Sequence, residues 1–157
     1  MTGDSLIDEL RVARTELLAA LEAIRPESMT TPGLVGEWSG RELIAHLGYW
    51  AGHAAEVIHA VEEGRAEEIG GGEPSVDEVN ETVSRVARQT ELDIVRRREA
   101  ASIGALTERL AALDPTLLAV RLPDGSTLAD GIREDGAEHY REHADGLRRA
   151  LTEAPRG

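Results

Sequence analysis

Glu138-His139-Tyr140-Arg141-Glu142-His143 is the stretch on which the reading of this chain turns. Residues four apart lie on one face of a helix, so His139 and His143 would stack about 6 Å apart at their β-carbons. Two imidazoles at that spacing can share one metal ion. The same face carries Leu128, Ile132, Asp135 or Gly136, then Leu147 and Ala150, the apolar seam of an amphipathic helix. Two histidines therefore interrupt a seam that otherwise takes Leu or Ile. A single histidine on such a seam is commonly an ordinary core residue. A third inward-facing ligand elsewhere would shift the balance toward a metal centre.

The rest of the chain supplies helices for that seam to pack against. Leu6, Leu10, Ala13, Leu17, Leu21 and Ile24 recur at steps of three and four, which predicts a first helix from Ser5 to Arg25, ended by Pro26. A connection rich in Pro and Gly leads to Trp38. Ser39 then caps a second helix, with Glu42 completing a capping box, and that helix runs to about Gly64. Its inward stripe is Leu43, His46, Leu47, Trp50, Ala54, Val57 and Val61. Gly64–Pro74 is a polar, glycine-rich linker. Ser75 with Glu78 opens a third helix through Val76, Val79, Val83, Val86, Thr90 and Ile94. It is expected to continue through Leu106, Leu110 and Leu113, bending near Ser102 or Gly104, until Asp114-Pro115 stops it. Pro123-Asp124-Gly125-Ser126 is a turn, and Ser126 or Thr127 caps the fourth helix, which runs to about Thr152. Four amphipathic helices with no repeat and no internal boundary predict an all-α four-helix bundle, one domain over residues 1–157.

Composition narrows the function. The net charge of -13 argues against nucleic acid and against an anionic membrane surface as partners. No apolar run approaches the roughly 20 residues of a membrane span, and the N-terminus shows no signal peptide, so a cytoplasmic protein is expected. Cysteine is absent, which removes disulfides, thiolate metal sites and a cysteine nucleophile. All 17 basic residues are arginine, which together with abundant Ala, Gly and Glu reads as a GC-rich coding bias. No serine stands in a nucleophile-elbow context.

His46 is the third ligand. It lies in the second turn of helix two, on the inward stripe, so His46, His139 and His143 can converge inside the bundle, where such sites are built. Three protein nitrogens with a position left open is the pattern of a catalytic rather than a structural zinc site. A divalent ion there lowers the pKa of a bound water or thiol.

Glu37-Trp38-Ser39-Gly40-Arg41-Glu42-Leu43-Ile44-Ala45-His46-Leu47 resembles the tryptophan–serine approach and helix-two histidine of the DinB-like superfamily, and His139-x3-His143 resembles its other ligand pair. That superfamily includes bacillithiol and mycothiol S-transferases, the N-terminal domain of mycothiol-dependent maleylpyruvate isomerase, and a colibactin-resistance group with a different active site. The resemblance implies zinc or nickel on His46, His139 and His143, with water or a small thiol beside them. It also implies that helices two and three run parallel through a crossover. The Gly64–Pro74 linker, which reaches roughly 35 Å when extended, allows that. Maleylpyruvate isomerase has a second, C-terminal domain that helps form its active site. This chain ends with the bundle, an expectation against that particular activity.

With no cysteine in the chain, any thiol chemistry must use a diffusible low-molecular-weight thiol such as mycothiol. The expected function is therefore a metal-dependent enzyme that transfers a small thiol to an electrophilic small molecule, or isomerises a thiol adduct. The alternative is a non-catalytic binding or resistance protein of the same fold. Self-association into a homodimer is left open. Secondary candidates are Asp135, four residues before His139, as an outer acceptor that orients the imidazole; His53, two turns beyond His46, as a pocket residue; Trp50 as core or pocket wall; and Asn80, which would lie near His46 if helices two and three are parallel. Tyr49 and Tyr140 are expected to look sideways, His59 outward, and Arg96-Arg97-Arg98 to form a solvated face.

Overall fold

The computed structural model describes residues 2–72 and 74–153. Helix α1 spans Gly3–Glu22, α2 Gly40–Glu62, α3 Val76–Arg88, α4 Leu92–Ala112, α5 Leu128–Asp135 and α6 Ala137–Glu153. Short 3-10 turns at Pro26–Met29, Ala66–Glu68 and Pro115–Ala119 join them. The all-α expectation holds. The periodic leucines of α1 are all buried, as are Leu43, Leu47 and Ala54 of α2. Among the described residues, no helix is long and apolar enough to cross a membrane.

Cross-helix contacts give the directions. Gly3 abuts Leu110 and Arg14 meets Glu99, so α1 and α4 are antiparallel. Gly48 lies against Glu99, Gly52 against Ser102 and Glu62 near Arg109, so α2 and α4 are parallel. Glu9 pairs with Arg133 and Glu16 with Arg148, so α1 and the α5–α6 arm are parallel as well. The bundle is α1, α2, α4 and α5–α6, with α3 on the return path that lets two parallel helices sit side by side.

Helix α1 starts two residues before and stops three residues before the predicted bounds, and two helices break where the sequence reading has no break or places it elsewhere. The third helix breaks at residues 89–91, not near Ser102 or Gly104. Glu91 is extended at φ -60°, ψ 143°, and the Thr90 carbonyl, freed at the break, accepts from Arg41 Nη1 at 3.2 Å. As a result α3 runs antiparallel to α2, with Asn80 beside Trp50 and Arg88 beside Glu42, while only α4 is parallel to it. The expected apolar face of α3 is half covered: Val76 and Val86 are exposed, and Ser84 and Ala87 are the buried residues. A short helix that touches little beyond α2 leaves its outer side in water.

The fourth helix breaks at Gly136, which sits at φ -112°, ψ -106°. A β-carbon there would lie 2.7 Å from the Ile132 carbonyl oxygen, so only glycine fits. The break resets the phase of the seam. Tyr140, Ala144 and Leu147 occupy its centre, each almost fully buried. His139 and His143 lie at its edge, half-buried, and Ala150 is exposed.

Candidate metal centre

Ser39 begins α2, and Glu42 folds back to accept from the Ser39 amide at 3.3 Å and its hydroxyl at 3.1 Å. Glu42 is buried, and this anchored first turn holds His46 one turn further on, 7% exposed. The reset seam of α6 brings His139 and His143 to it from the opposite side. The Nε2 atoms of His46 and His139 are 2.8 Å apart. One ligating nitrogen from each of the three rings lies within 4.8 Å of the others. The His46 ring meets those of His139 and His143 edge-on, with centroids 4.6 Å and 5.4 Å away. Trp38 covers the group, its ring 4.7 Å from that of His46.

The surroundings keep these rings neutral. Burial, then the neighbouring imidazoles His139 and His143, lower the His46 pKa to about 3, with the Asn80 side chain opposing. Burial and His143 lower His139 to about 4. His143 is also lowered, by burial, with Glu142 opposing. A neutral imidazole offers a lone pair. The Nε2 atoms of His46 and His139 face each other at 2.8 Å, and a shared cation would take up both lone pairs. Three convergent neutral nitrogens with no thiolate fit a borderline divalent cation such as zinc or nickel.

The secondary candidates divide. The Trp50 indole donates to Asn80 Oδ1 at 2.9 Å. Asn80 reaches the neighbourhood of His46 from an antiparallel α3, not through the parallel arrangement on which that expectation depended. His53 packs edge-on against Trp50, ring centroids 5.3 Å apart, and is not one of the convergent three. Asp135 is half-buried, its carboxyl pushed up to about 7 by burial and then by Glu134. His59 pairs with Glu63 at 3.0 Å on the surface, and Arg96, Arg97 and Arg98 are exposed. Tyr140 corrects the reading most: it is fully buried, and its hydroxyl donates to Glu99 at 2.7 Å. Glu99 follows three arginines, a context that gives no sign of burial.

Residues 10–134 match the family model of the mycothiol maleylpyruvate isomerase N-terminal domain. The chain belongs to that family. The matched segment contains His46 and stops short of His139 and His143, so their convergence is a property of the fold. Among solved structures, the mycothiol-dependent maleylpyruvate isomerase is similar at a TM-score of 0.74 and 16% identity, over 94% of this chain and 61% of that one. The colibactin self-resistance protein ClbS, solved in complex with dsDNA, is similar at a TM-score of 0.76 and 18% identity, over 98% of each chain. An uncharacterised protein from Escherichia coli UTI89 is similar at 0.77 and 15%, over 96% of this chain and 94% of that one. At these identities the likeness shows the fold alone, that of the DinB-like superfamily. No curated protein matches the chain.

Proposed function

We propose that this protein is a metal-dependent enzyme that couples a small cellular thiol to an electrophilic small molecule, or isomerises such an adduct. The observation that carries the proposal is the convergence of three neutral imidazole nitrogens from α2 and α6 within 4.8 Å. His46, His139 and His143 would hold zinc or nickel. When bound, the ion supplies positive charge that lowers the pKa of a thiol or water beside it, making a nucleophile near neutral pH. The chain itself has no cysteine, so the sulfur has to be brought by a diffusible thiol. Mycothiol is the first candidate, given the family.

The protein's own groups shape that step. Trp38 covers one side of His46 and limits water there. Trp50 fixes the Asn80 carboxamide beside the site, which can orient a polar substrate. Asp135 titrates near neutrality and can hold or release a proton close to α6. A net charge of -13 disfavours nucleic acid as the substrate. A cytoplasmic location belongs to the same reading.

The fold it shares with a colibactin self-resistance protein favours one other reading, a non-catalytic protein that binds a reactive small molecule. Metal analysis and a thiol-conjugation screen of the metal-loaded protein separate the two. Catalytic turnover supports the enzyme, and uptake of one equivalent without turnover supports the binder. His46→Ala should retain the helical circular dichroism and lose metal affinity and turnover by more than the roughly 10- to 100-fold that losing an outer partner of a ligand costs. Full activity of that variant would sink the enzyme reading.

A further inference from the structure

Between α1, α4 and α6 lies a charged group inside the core. Glu99 is 4% exposed and Tyr140 0%. Arg14 donates to the Glu99 carboxylate through Nε at 2.9 and 3.1 Å and through Nη2 at 2.7 Å. The Tyr140 hydroxyl donates to the same carboxylate at 2.7 Å. A buried carboxylate is tolerated only when paired and hydrogen-bonded, so each partner constrains the others.

The place of this network on α6 matters more than its presence. Tyr140 is the residue after His139 and three before His143, immediately above the Gly136 break. Within one turn of it α6 buries Ala137 and Ala144, small side chains that key a helix weakly against rotation about its axis, with Leu147 the next large apolar contact two turns on. Among the described residues, other polar ties from α6 to the bundle are the His46–His139 contact itself and an exposed Arg148–Glu16 pair at 3.9 Å. Of these ties among the described residues, the Tyr140–Glu99 bond alone is both buried and independent of the histidines. Rotating a helix by about 5° moves a nitrogen about 6 Å from its axis by roughly half an ångström, well beyond the ±0.2 Å tolerance of a metal–ligand bond.

We infer that the Tyr140 hydroxyl, held by Glu99 and Arg14, is a positioning group that sets the rotation of α6 and so places His139 and His143 opposite His46. The inference rests on the metal reading above. Its test is zinc affinity at 25 °C, measured on the full chain with zinc alone in competition with a chromophoric chelator. Tyr140→Phe should bind zinc 10- to 100-fold more weakly, the loss typical of removing a group that orients ligands from behind. Glu99→Gln should weaken binding in the same direction. The cobalt-substituted visible spectrum of Tyr140→Phe should shift, reporting altered ligand geometry. Ile24→Val, a mild core truncation just past the end of α1, should lower the thermal midpoint and leave zinc affinity unchanged.

A network with only a structural role would behave like Ile24→Val. Zinc affinity of Tyr140→Phe within twofold of wild type, whatever its thermal midpoint, overturns the inference and leaves the metal reading intact. Absence of zinc binding by the wild type overturns both. Should Tyr140→Phe fail to fold, Arg14→Lys decides by the same criterion, since it keeps the charge and loses the paired Nε and Nη2 donation.

Discussion

At the scale of single residues, the chain places polar groups in its interior and partners nearly all of them. Glu99 has Arg14 and Tyr140; Glu42 has Ser39 and Arg88. The three clustered histidines are held neutral by burial, reinforced at His46 and His139 by neighbouring imidazoles. Nearer the surface, Arg133 donates to Glu9 at 3.0 and 3.1 Å and, through that hydrogen bond first, holds the Glu9 carboxyl below its usual range. A carboxylate whose folded pKa is depressed adds stability above its unfolded pKa, and loses it as pH falls through the folded value. Glu9→Gln should therefore cost a few tenths of a kcal/mol at pH 7, the scale of a partly exposed pair. The gap to wild type should be smaller at pH 3. Urea midpoints of both proteins at the two pH values check this, and an equal gap at both would contradict it.

At the scale of elements, glycine decides how two helices meet the site. Gly48 lets α2 approach α4 so closely that an added β-carbon would lie 2.9 Å from the Glu99 α-carbon. Gly136 divides α5 from α6 in a backbone conformation that crowds any side chain against the Ile132 carbonyl. Gly136→Ala should destabilise the protein by about 2 kcal/mol, the usual cost of forcing an extra carbon into a closely packed position. It should also weaken zinc binding, because straightening the arm returns α6 to the phase in which His139, not Tyr140, faces the core. Calorimetry and the chelator competition measure the two effects. Lost stability with unchanged affinity would show that the break does not set the ligand phase.

At the scale of the whole molecule, the crossover puts α2 and α4 side by side in parallel and leaves α2 facing α6, far from it in sequence. A cation held by His46, His139 and His143 ties these two helices together and binds the folded state alone. Zinc at 100 times its dissociation constant should then stabilise the fold by about 2.7 kcal/mol, seen as a rise in thermal midpoint that a chelator reverses. His46→Ala should show no rise.

The sequence by itself determined which segments are helical, where α2 begins, and which three histidines belong together. Those features are written in local spacing: leucines at steps of three and four, Ser39 with Glu42, and histidines on inward stripes. The tertiary structure alone decided the breaks at residues 89–91 and at Gly136, the antiparallel course of α3 and the burial of Glu99 and Tyr140. Periodicity reports the phase of one continuous helix and carries no information once a backbone break resets it. The Arg14–Glu99–Tyr140 network joins residues 85 and 41 positions apart, so each partner in isolation reads as an ordinary polar side chain, and only packing shows what it is for.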